Sequence, residues 1–189
     1  MKLFPFRRSR RNPSIDALYG MIVAQARSPA FYRGYGVPDT VEGRFDMILL
    51  HLALLLRRLR ETASEGPMGQ EHLGQELFDR FCRDMDGNFR EMGVGDLAVP
   101  KRMLQVAEAF YGRAAAYDQA LDGGDAAALE AALGRNVFGG GAALGARRLA
   151  TYMRQAATGL AVQDGLARGE LRFPDPDAVV EPSEGARQP

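Results

Sequence analysis

Cysteine occurs once in these 189 residues, at Cys82, so no disulfide can staple the chain internally, and a reducing compartment is the expected setting. Histidine occurs twice. Neither His51 nor His72 completes an E-x-x-H or H-E-x-x-H arrangement, so a helical di-iron or zinc-protease site lacks its ligands. Net charge is missing too: 24 basic side chains balance 24 acidic ones, which excludes a general nucleic-acid binder. Lysine is confined to Lys2 and Lys101, and every other basic residue is Arg. Long hydrophobic runs are also wanting. The most apolar stretch, M-I-L-L-H-L-A-L-L-L from Met47 to Leu56, is far short of the ~20 residues that span a bilayer. Asp46 and Arg57 bracket it closely. No segment shows a convincing strand alternation.

Motifs for chemistry are equally thin. Asp84, Asp86 and Asn88 imitate the opening of a calcium loop. The sixth position is Phe89 rather than Gly, however, and the twelfth is Gly95 rather than Glu. The run Gly139–Gly141 has neither the Lys-Ser/Thr of a P-loop nor a preceding strand. Cys82 follows Phe81 and has no His partner, which reads as a buried, inert thiol. No catalytic constellation, metal site or cofactor site emerges, and the expectation is a protein that is not an enzyme.

What is present is helical periodicity. It predicts an all-α, single-domain helical bundle of about six helices over residues 13–170, between a flexible basic N-terminal arm (1–12) and an acidic C-terminal tail (171–189). Asn12 and Pro13 look like the cap and first residue of a helix whose stripe is Ile15, Leu18, Tyr19, Ile22 and Ala26. The loop after Pro29 brings three aromatics together, Phe31, Tyr32 and Tyr35, rings that either plug the core from its edge or grip a partner. Asp39 and Glu42 suggest a capping box for a helix over 40–63, apolar on every side at its centre and therefore the most deeply buried, with His51 as a core histidine. Further helices are expected over 70–92, from Pro100 to Leu121, from Asp125 to Leu133 and over 142–167. Beyond Phe173 the proline- and aspartate-rich sequence reads as an extended or disordered tail.

The densest signal lies between Leu77 and Met103. Leu77, Phe81, Met85, Phe89 and Met92 form one helical stripe, and Gly93 stops it. Asp79/Arg83 and Asp86/Arg90 stand four apart, as on a solvated helix face. The connection G-V-G-D-L-A-V-P is longer than a helix hairpin requires, and its apolar side chains call for burial somewhere. Charges crowd around it. Asp86, Arg90, Glu91, Met92, Asp96, Lys101 and Arg102, with Phe31, Tyr32 and Tyr35, are the candidate partner-binding residues, set against a role in capping and pairing the two helices. In the arm, Arg7, Arg8, Arg10 and Arg11 with Phe4 and Phe6 suit either a solubilising terminus or an attachment to anionic lipid or ribosomal RNA.

The contiguous run F-D-R-F-C-R-D-M-D-G-N-F-R-E-M-G-V-G-D-L-A-V-P-K-R-M, continued by E-A-F-Y-G-R at Glu108–Arg113, resembles the signature of the ubiquinol–cytochrome c chaperone family. P-A-F-Y at Pro29–Tyr32, the helix with Phe45–Leu59, N-V-F at Asn136–Phe138 and the Tyr152 helix extend the resemblance over roughly 13–170. It implies an all-α assembly factor for respiratory complex III that binds newly made cytochrome b or other complex III components. Mitochondrial members work with a small partner chaperone near the ribosomal exit. The chain is more similar to the bacterial members, which implies a cytoplasmic protein, peripheral at the inner face of the membrane, or on the matrix side of the mitochondrial inner membrane in a eukaryote. The alternative is a membrane-surface scaffold that works through the basic arm.

Overall fold

The computed structural model describes residues 12–63, 70–141 and 143–179. Its described residues form helices and no strand, as the periodicity predicts. In chain order these are α1 (Pro13–Ala26), the one-turn α2 (Pro29–Arg33), α3 (Val41–Ala63), α4 (Gln70–Glu91), α5 (Val99–Asp122), α6 (Ala126–Val137) and α7 (Ala143–Ala161). Two single 3-10 turns follow, Leu166–Arg168 and Pro176–Ala178. The basic arm with Arg7, Arg8, Arg10 and Arg11 lies outside the described residues.

Local chemistry explains the boundaries. Asn12 caps α1, its side-chain oxygen accepting from Ser14 N–H at 3.2 Å, and Pro13 opens the helix. The cap of α3 is one residue from where it was expected: Thr40 Oγ1 accepts from Gly43 N–H at 3.1 Å, while Asp39 turns outward to pair with Arg44 at 2.7 Å. Asp125 caps α6 through Ala128 N–H at 2.9 Å, and α6 continues past Leu133 to Val137. The last helix is shorter than predicted, ending at Ala161 rather than Ala167.

Helix α3 is the axis of the bundle. Every residue from Met47 to Leu56 is buried, and α1, α4, α5, α6 and α7 all pack against it. A helix without a polar face cannot lie on a surface, so the other helices surround this one. Ion pairs tie the C-terminal half of α5 to it. Arg113 pairs with Asp46, and Arg57 reaches Asp122 at 2.6 Å and Asp118 at 3.8 Å, so α5 runs in the same direction as α3.

The core holds one polar chain. His51 is fully buried; its Nδ1–H donates to the Met47 carbonyl at 2.7 Å, which leaves Nε2 to accept from the Tyr152 hydroxyl at 2.8 Å. The same hydroxyl accepts from Gln25 Nε2 at 3.0 Å. The imidazole is therefore satisfied only while neutral. Burial pulls its pKa from 6.5 down to about 4, against a smaller upward pull from the Met47 carbonyl. The unfolded chain binds this proton before the folded one does, so stability is full above pH 6.5 and falls as acidification proceeds toward pH 4. Between about pH 7.5 and 5 this group alone should remove about 2 kcal/mol. Urea unfolding at the two pH values checks it, with His51→Gln expected to flatten the dependence.

The segment expected to begin a disordered tail is folded in part. Leu171, Pro176 and Val179 are buried, and Phe173 packs on the core. Apolar residues spaced along an extended chain gave it a surface to cover, which its acidic composition concealed.

Candidate functional site

The turn between α4 and α5 is built from backbone bonds. Gly93 takes φ 78°, a left-handed conformation that glycine adopts without strain. Val94 N–H donates to Phe89 O at 2.9 Å and Gly93 N–H to Arg90 O at 3.0 Å, the paired closure that ends a helix at a left-handed residue. Gly95 O then accepts from Ala98 N–H at 2.8 Å and Val99 N–H at 3.3 Å, starting α5.

On this frame Arg90 joins two carboxylates, Asp86 at 2.8 Å and Asp96. Asp96 is 83% exposed and Arg90 49%, and pairs so exposed contribute little to stability. Glu91, Lys101 and Arg102 are exposed as well. Of the two expected helix-face pairs, Asp86/Arg90 forms, whereas Arg83 Nε donates to the Asp79 carbonyl at 3.3 Å. The apolar residues of the turn are not buried, contrary to expectation. Leu97 is 98% exposed and Met92 62%, and only Val99 turns inward.

These side chains continue onto α5. Leu104 and Tyr111, two turns apart on one face, are 46% and 59% exposed. Tyr111 leans against the ring of Phe78 on α4 at 5.4 Å, so its face is held in place from behind. Leu97, Leu104 and Tyr111, seven apart, thus make an exposed apolar stripe that starts on the turn and follows one face of α5, with Met92 exposed at the end of α4 before it; Lys101 stands one turn before Leu104, while Arg102 lies round the helix from it. Leu104 and Tyr111 escape the sequence reading, which takes in Leu97 only as a side chain that calls for burial. Their seven-residue spacing was the available signal, masked by the stronger inward stripe of Val106, Phe110 and Ala114.

The aromatic residues before α3 are placed elsewhere. Phe31 and Tyr35 are buried, and the Phe31 ring meets those of Tyr35, His51 and Tyr152 edge-on at 5.3, 5.5 and 4.9 Å. Both rings lie in the core, as a plug would. Tyr32 is half-buried. Its hydroxyl donates to Ala26 O at 2.6 Å, and Arg44 lies 5.7 Å from its ring.

Cys82 is half-buried, and burial with the nearby Asp79 charge raises its pKa to about 11, so the thiolate nucleophile is scarce. A polar groove of about 560 Å³ between α1 and α4 is spanned by its own pairs. Arg80 binds Asp16 at 2.9 Å, Asn12 donates to Glu76 at 2.8 Å, and Tyr19 donates to Asp84 at 2.9 Å. Among the described residues no group of His, Cys, Asp and Glu is placed to hold a metal, and no helix is long and apolar enough to cross a membrane.

An all-helical domain whose outstanding surface is an apolar stripe with a charged rim is equipped to hold another protein. The chain belongs to the ubiquinol–cytochrome c chaperone family, whose model matches residues 33–173. It is also similar to the crystal structure of the Cbp3 homolog from Brucella abortus, at 40% identity over 89% of this chain and 92% of that one, with a TM-score of 0.79. Comparison with curated proteins gave no match.

Proposed function

We propose that this chain is an assembly chaperone for ubiquinol–cytochrome c reductase that holds newly made cytochrome b through the stripe of Met92, Leu97, Leu104 and Tyr111. Membership of the family supports the complex III assignment and speaks for a binding protein rather than a catalyst. The observation that carries the surface is Leu97, 98% exposed on a turn tied down by backbone bonds and by Arg90. Apolar side chains two turns apart on a rigid helix can interdigitate with an apolar helix of the client. Glu91, Asp96 and Lys101, exposed on the turn and the first turn of α5, present both signs of charge to the polar segments that flank such a helix.

The chain would act on cytochrome b from the side where its connecting segments are made, as a peripheral protein. Pull-down from membranes translating cytochrome b tests this: the unaltered chain should capture the nascent client, and capture should survive deletion of residues 1–11. If deletion of the arm, or added salt, abolishes both membrane sedimentation and capture, the arm-driven scaffold replaces this reading.

A further inference from the structure

The chain beyond α7 crosses back over the body as an extended strap. Gly169, at φ 76°, makes the turn hard against α1, where any Cβ would meet Ser14 Cα at 2.9 Å. From there the side chains divide. Leu171, Pro176 and Val179 are buried and Phe173 is half-buried, its ring edge-on to His51 at 4.9 Å, while Arg172, Asp175, Asp177 and Ala178 face solvent. Asp175 (φ −66°, ψ 118°) and Val179 (φ −70°, ψ 110°) have extended backbones near the polyproline region.

The groove holds the strap largely by its main chain. Gln163 clamps Arg172 from both sides, its Oε1 accepting the N–H and its Nε2 donating to the carbonyl, each at 2.8 Å. Gln25 Nε2 donates to Pro174 O at 3.0 Å, and the Tyr35 hydroxyl donates to Pro176 O at 2.6 Å. Behind these donors stands a wall of rings: Phe31, Tyr35, His51 and Tyr152. Side-chain donors aimed at prolyl carbonyls across an aromatic wall are how proteins read proline-containing extended segments, whose backbone loses little entropy on binding. Arg148 lies 4.4 Å from the Tyr35 ring and donates to Gly34 O at 2.7 Å, and within the strap Asp175 Oδ1 accepts from Asp177 N–H at 3.0 Å.

We propose that this groove is a docking site for an extended aromatic-Pro-acidic-Pro segment of a partner protein, and that residues 171–179 occupy it as an intramolecular stand-in. Main-chain recognition lets an incoming segment of the same type replace the strap bond for bond. Buried donors such as Tyr35 Oη require a carbonyl, so exchange is favoured over an empty groove. The strap's only regular structure is the single turn Pro176–Ala178, so lifting it breaks few backbone bonds. The groove draws on α1, α2, α3 and α7 rather than on the α4–α5 stripe, and it stands whichever client the stripe holds.

The test is fluorescence polarisation of a labelled peptide copying Glu170–Val179 against the full chain. Two strap variants leave every groove residue in place: Phe173→Ser, and Val179→Ser, which removes a buried anchor at the far end of the strap. Each should bind the peptide at least about tenfold more tightly than the unaltered chain does, because the internal competitor is weakened. Adding Tyr35→Phe to Val179→Ser should reverse most of that gain, and replacing both prolines of the peptide with alanine should abolish binding. Equal affinity for the unaltered and Val179→Ser chains, with cooperative melting in both, would show the strap to be packing alone. Equal binding of the proline-free peptide would overturn polyproline recognition.

Discussion

Leu52→Ala should lower the stability of this domain by about 2–5 kcal/mol. At roughly 2–4 °C per kcal/mol for a chain of this size, the melting temperature falls by about 10 °C. Leu52 is completely buried in α3, the helix against which five others pack. A cavity there is bounded by side chains from several elements at once, and no single neighbour can move in to fill it. An unchanged urea midpoint would mean that α3 is not the axis of the bundle.

The largest functional effect is expected at the stripe. Leu97→Glu with Leu104→Glu should leave melting almost unchanged, because exposed substitutions alter stability by about 0.5 kcal/mol or less. The same two carboxylates, pressed into an apolar contact with a client helix, would each lose hydration with no partner, at a cost of about 1–3 kcal/mol apiece. Cytochrome b yield should then fall at least about tenfold at normal chaperone abundance. Asp96→Lys should act more weakly, since Arg90 retains Asp86 and the turn keeps its backbone bonds. If cytochrome b falls only in proportion to chaperone loss, these residues serve the fold and not the client.

The sequence makes the helices legible because each strong signal has one physical reading. An all-apolar decade at Met47–Leu56 admits only burial, Asn12 before Pro13 only a helix start, and Gly93 after a long stripe only a stop. The site was half legible. Charge density draws attention to the α4–α5 turn, but it does not tell a side chain's exposure: the apolar residues that call for burial in the sequence, Leu97 above all, are the ones left out. The aromatic loop was ambiguous for a related reason, since the same three rings suit a plug or a grip until their neighbours are known. His51 and Tyr152, 101 residues apart, supply those neighbours. The strap was hidden because an extended segment lacks helical period. Its spaced anchors at Leu171, Phe173, Pro176 and Val179 were outweighed by prolines and aspartates that fit an acidic tail equally well.

The most direct test of the central claim is site-specific photo-crosslinking during cytochrome b synthesis. A photoreactive residue at 97 or 104 should crosslink to nascent cytochrome b. The same probe at Leu144 or Val162, each 81% exposed but outside the stripe, should not. Crosslinks from positions 144 and 162 as strong as those from 97 and 104, or none from 97 and 104 while cytochrome b is being captured, would contradict the account.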